Sequence, residues 1–67
     1  MHILSAENSF RRGLAALFDG DASGASDLFQ AAILIEVQHG VKGPQMRYLS
    51  YYGLSRAQAF GATPQAI

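Results

Sequence analysis

Two clusters of helix-breaking residues divide this 67-residue chain into three segments. Asp19 and Gly20 interrupt the first apolar run, and the stretch HGVKGP, residues 39–44, follows the second. Glycine favours left-handed turns and proline cannot continue a helix, so both clusters indicate connections between helices. No segment alternates apolar and polar residues as a half-buried strand would. The sequence therefore predicts an all-α fold.

The expected elements are an N-terminal tail of residues 1–5 and helices over about 6–18, 22–38 and 44–60. Ser5 can cap the first helix, and Asp21 or Ser23 the second, because such side chains accept hydrogen bonds from free backbone N–H groups. Pro44 suits the first turn of the third helix. A fourth helix is expected from residue 64, and it would be truncated at the end of the chain.

Helical spacing predicts which face of each helix is buried. Three tyrosines surround the predicted inner face of the third helix and cannot all point inward. The residues expected on the inner faces are Phe10, Leu14, Leu17 and Phe18 in the first helix, Ala25, Leu28, Phe29 and Ala32 in the second, and Met46, Leu49, Gly53, Ala57 and Phe60 in the third.

Composition excludes several classes of protein. Five basic and five acidic residues give a formal net charge of zero, whereas domains that neutralise phosphates carry a basic excess. There is no cysteine, so disulfides and thiolate metal sites are excluded. The longest apolar run, AAILI, is too short for a membrane span, and no signal peptide is visible, so we expect a cytoplasmic protein. Hydrophobic residues make up 49% of the chain and charged residues 15%, which predicts that part of the surface is covered.

The spacing of small and aromatic residues resembles the tetratricopeptide repeat (TPR). Gly13 stands in the first helix, Gly20 and Asp21 form the turn, and an Ala-Phe-Ala series follows in the second helix, at residues 25, 29 and 32. By this resemblance Gly13 and Ala25 allow close helix approach, Phe29 fills the wedge between the helices, and Ala32 leaves room for the next helix. Residues 6–39 would form one repeat.

A second, partial repeat is expected over residues 44–67, in which Gly53, Leu54 and Ala66 repeat Gly13, Leu14 and Ala25. The chain departs from the family pattern in its period, since 40 residues separate Gly13 from Gly53 instead of 34. Less usual residues also occupy four positions of the pattern: Ser9, Arg12, Ala16 and Val37.

The resemblance implies an antiparallel helical hairpin plus a third helix, as a fragment of an α-solenoid. It implies a non-catalytic protein–protein interaction or scaffold module without cofactors, whose partner is a protein or peptide and neither a nucleic acid nor a membrane. Repeats bury their faces by stacking, so a homo-oligomer or a longer array is expected. The candidate partner-binding residues are Phe10, Leu14, Leu17 and Leu54, which the resemblance places on the peptide-binding groove, and Tyr48 and Tyr51, because tyrosine is enriched at interfaces.

Enzymatic chemistry is not expected. The chain has no cysteine nucleophile, no pair of histidines at metal-ligand spacing and no phosphate-binding Gly-Lys motif. His39 is expected at the end of the second helix, where an imidazole favours the helix dipole.

Two other functions remain open. The stretch DGDASGASDLFQ, residues 19–30, resembles an EF-hand calcium loop, with Asp19, Asp21, Ser23 and Asp27 at ligand positions and Gly24 at the sharp turn. Its twelfth residue is Gln30, which cannot supply the bidentate carboxylate. The stretch AQAFGATPQAI, residues 57–67, resembles a helix-turn-helix core, although its recognition helix would end too early to reach bases.

Overall fold

The computed structural model describes residues 2–61, with side chains from residue 5 onward. Three helices follow one another: α1, His2–Phe18; α2, Ala22–Gln38; and α3, Met46–Ala59. The described residues contain no strand, so the fold is all-α: an antiparallel helical hairpin, α1 and α2, with a third helix packed on it. Within residues 2–61, no helix combines the length and the apolarity needed to cross a membrane.

Some predicted boundaries are corrected by the structure. The helix α1 begins at His2 and not at residue 6, so there is no tail over residues 2–5 and Ser5 lies inside the helix. The helix α3 begins at Met46 with Gln45 as N-cap, which leaves Pro44 outside its first turn. The bounds of α2 are those predicted, and its N-cap is Asp21. The expected fourth helix lies outside the described residues.

The turn between α1 and α2 satisfies the backbone groups at both helix ends. The N–H of Gly20 donates to the carbonyl of Leu17 at 3.0 Å, and that of Asp21 donates to Ala16 at 2.9 Å. This is the Schellman pattern, and it needs the left-handed backbone that Gly20 adopts at φ +86°. Asp21 then caps α2, since its Oδ1 accepts from the N–H of Gly24 at 2.9 Å.

The same pattern ends α2. The N–H of Gly40, whose φ is +85°, donates to Val37 at 3.1 Å, and that of Val41 donates to Glu36 at 3.0 Å. His39 is the C-cap, and its Nδ1 lies 2.9 Å from the carbonyl oxygen of Ile35. Each interhelical turn therefore depends on its own left-handed glycine, Gly20 in the first and Gly40 in the second.

Close packing of α1 on α2 depends on Gly13. It is buried, and a Cβ at this position would lie 2.6 Å from Cε1 of Phe29, which is fully buried. Ala25 and Ala32 flank Phe29 on α2 and are also fully buried. The helices can approach because α1 presents no side chain where the Phe29 ring lies.

An aromatic cluster joins all three helices. Phe10 on α1 is its centre, with ring centroids 5.4 Å from Phe29, 4.8 Å from Tyr48 and 5.6 Å from Tyr51. Phe29 and Tyr51 close the cluster at 5.8 Å. Tilted and edge-on aromatic pairs at these distances are each worth about 0.5–1.5 kcal/mol beyond their buried area. The core therefore consists of rings at its centre and small residues at its edge.

The predicted inner face of α3 is wrong. The helix buries Tyr48 and Ser55 and half-buries Tyr51 and Tyr52, while the predicted residues point outward. Met46 is 73% exposed, Phe60 64% and Leu49 39%. The helix carries two apolar stripes, and periodicity alone cannot tell which of them meets the core. Phe18, predicted on the inner face of α1, is 81% exposed because the chain turns away immediately after it.

Candidate functional site

A polar cluster at one end of the molecule ties α1 to α3. Oε1 of Glu7 accepts hydrogen bonds from the Tyr48 hydroxyl, at 2.9 Å, and from Nη2 of Arg47. Oε2 of Glu7 faces Nε of Arg11, one helical turn later on α1, at 3.4 Å. One carboxylate therefore collects three donors from two helices.

Arg47 holds this cluster against the aromatic core. Its guanidinium carbon lies 4.9 Å from the ring centroid of Phe10 and 5.3 Å from that of Tyr48, distances typical of cation–π contacts. Its Nε also donates to Oε1 of Gln45 at 3.0 Å. The planar guanidinium can stack on rings and donate hydrogen bonds at once, which a lysine ammonium cannot do.

The cluster shifts two pKa values in opposite directions. The hydrogen bond that the Tyr48 hydroxyl donates to Glu7 lowers the pKa of that carboxyl, and the charge of Arg47 lowers it further, although partial burial opposes this. Burial, followed by the hydrogen bond to the Glu7 carboxylate, raises the pKa of Tyr48 to about 12. At neutral pH the pair is therefore a neutral hydroxyl that donates to a carboxylate.

A second polar contact fixes the start of α3 on α2. Glu36 is buried, and its Oε1 accepts from the backbone N–H of Gln45 at 3.1 Å. Its Oε2 accepts from the side-chain amide of Gln45 at 3.0 Å. A carboxylate beside the N-terminus of a helix is favoured by the helix dipole. Glu36 thus satisfies the backbone N–H of the N-cap residue of α3, whose own side chain makes no cap hydrogen bond.

One turn of α1, from Glu7 to Phe10, contacts the first turns of α3. Glu7 contacts residues 40 and 41 positions later, and Phe10, one turn on, contacts Tyr48 and Tyr51. These separations of 38 to 41 residues are close to the 40 residues between Gly13 and Gly53.

The predicted partner-binding residues divide into two groups. Phe10 and Tyr48 are buried in the core, which corrects their assignment as accessible contacts. Leu14, Leu17 and Tyr51 are half-buried against the core. Leu54 is 47% exposed, and on the helical wheel it lies on the α1 side of α3. We call the accessible remainder the α1–α3 margin: Leu14 and Leu17 on α1, and Tyr51 and Leu54 on α3.

The predicted repeat-packing residues also lie in different environments. Gly13, Ala25, Phe29 and Ala32 are buried where α1 meets α2, and exposed Gly20 forms the turn. Gly53 does not pack within the described residues, because a Cβ there would meet nothing within 4 Å. Ala66 lies outside the described residues.

Most of the stretch that resembles a calcium loop is helical, since residues 22–30 belong to α2. An EF-hand loop keeps most of its twelve residues outside the helices, whereas α1 and α2 are separated only by residues 19–21. Ser23, Asp27 and Gln30 lie on α2, and Oδ1 of Asp21 is used by the cap. In the described part of the chain, no three His, Cys, Asp or Glu side chains come together as a metal-binding group.

The end of the helix-turn-helix resemblance, from residue 62 on, lies outside the described residues. Neither protein-family models, nor curated proteins, nor solved structures match the chain.

Proposed function

We propose that this chain is a non-catalytic protein-interaction module of TPR type that acts in the cytoplasm, with a protein or peptide as partner. One observation carries the proposal: Glu7 and Phe10 on α1 contact residues of α3 that lie 38 to 41 positions later, near the separation of 40 between Gly13 and Gly53. In stacked helical repeats the first helices of successive repeats adopt this relation, with the second helix of the earlier repeat packed behind them.

The packing inside the hairpin supports the same proposal. Gly13 leaves the space that Phe29 fills, and Ala25 and Ala32 keep the flanks of that ring small. These are the positions at which the chain resembles the repeat. Gly53 repeats Gly13 on α3 and has open space above it, as expected of a module that continues its packing with another helix or chain.

The partner surface in this proposal is the α1–α3 margin. It combines aliphatic side chains with one tyrosine, a residue type common at interface hot spots. Small interfaces of this kind bind weakly unless several modules act together.

Site-specific photo-crosslinking in cells tests the proposal. A photoreactive phenylalanine at position 54 is expected to cross-link a partner, whereas one at Gln30, exposed on α2, is not. The cross-linked protein is then identified and purified, and its affinity is measured for the wild-type chain and for Leu54→Glu. We expect about a tenfold loss of affinity, equivalent to about 1.4 kcal/mol. Equal cross-linking at both positions, or equal affinity of both chains, would contradict the proposal.

A further inference from the structure

We draw no further inference here: the strongest candidate, the exposed apolar surface patch that Met46 and Leu49 form on the outward face of α3, carries none because nothing in the described part of the chain shows what covers it.

Discussion

Glu7 and Tyr48, 41 residues apart, are joined by a 2.9 Å hydrogen bond that runs from the hydroxyl on α3 to the carboxylate on α1. The hydroxyl belongs to a buried ring of the aromatic cluster, and the carboxylate lies at the edge of the cluster, with 22% of its side chain exposed. The bond therefore connects the core to the polar rim and fixes the register between the two helices.

A double-mutant cycle measures what this bond contributes. Tyr48→Phe keeps the ring and removes the donor, so we expect the free energy of unfolding to fall by about 1 kcal/mol. In the background of Glu7→Ala the same change should cost less, which gives a coupling of about 0.5–1 kcal/mol. Urea denaturation followed by circular dichroism provides the values. Additive effects of the two changes would show that the bond contributes nothing measurable.

Acid should weaken the fold through Glu7. Because its pKa is lower in the folded chain than the ordinary 4.5, the ionised carboxylate stabilises the fold, fully so above pH 4.5. The contribution is lost as the pH falls through the lower folded pKa. Glu7→Gln should therefore show a flatter decline in melting temperature over this range than the wild type. Identical acid profiles would contradict this role of Glu7.

Alkali should weaken the fold through Tyr48. Its pKa is raised from 10.0 to about 12, so its contribution is complete below pH 10 and is lost as the pH rises from 10 to 12. Two pKa units correspond to a loss on the order of 2–3 kcal/mol. Absorbance titration of tyrosinate should show one late step that Tyr48→Phe removes. A titration unchanged by that substitution would refute the prediction.

Alanine at Gly13 on α1 and at Gly53 on α3 should act in opposite directions. Gly13→Ala places a methyl group 2.6 Å from Phe29, and we expect a destabilisation of about 1–3 kcal/mol despite the better helix propensity of alanine. Gly53→Ala meets open space and should stabilise the fold by roughly 0.5–1 kcal/mol. Thermal unfolding at low concentration measures both. A neutral Gly13→Ala would mean that the Phe29 ring moves freely.

Asp21 should behave as a helix cap and not as a calcium ligand. Asp21→Ala is expected to cost about 1 kcal/mol, whereas Asp21→Asn should cost little because asparagine caps equally well. Millimolar calcium should leave the melting temperature of all three chains unchanged. A melting temperature that rises with calcium in the wild type but not in Asp21→Asn would instead support the calcium-binding hypothesis.

Local chemistry made the hairpin predictable, whereas the face of α3 was decided by long-range contacts. The cap at Asp21, the left-handed Gly20 and the small–aromatic spacing around Phe29 act within a few residues, so the sequence indicates them directly. The choice of Tyr48 over Leu49 as the core residue depends on Phe10 and Glu7, about 40 residues away.

Within the Glu7 cluster only the pair with Arg11, four residues later on the same helix, has a local sequence signal. The donors of the cluster come from α1 and α3, and the carboxylate lies on a helix that starts earlier than predicted. Leu14 was correctly placed on the core side of α1, since one face of that helix meets a single neighbour over most of its length.

Asp21 completes the turn of one helix and caps the next, so the joint between α1 and α2 contains no spare residue. Inserting or deleting one amino acid there would break a carbonyl contact on one side or the cap on the other. In the connection from Val41 to Pro44, no residue both ends α2 and caps α3. Changes in chain length between related or redesigned modules should therefore be tolerated at the second joint and rejected at the first, which makes the hairpin a fixed unit and its spacing to α3 an adjustable one.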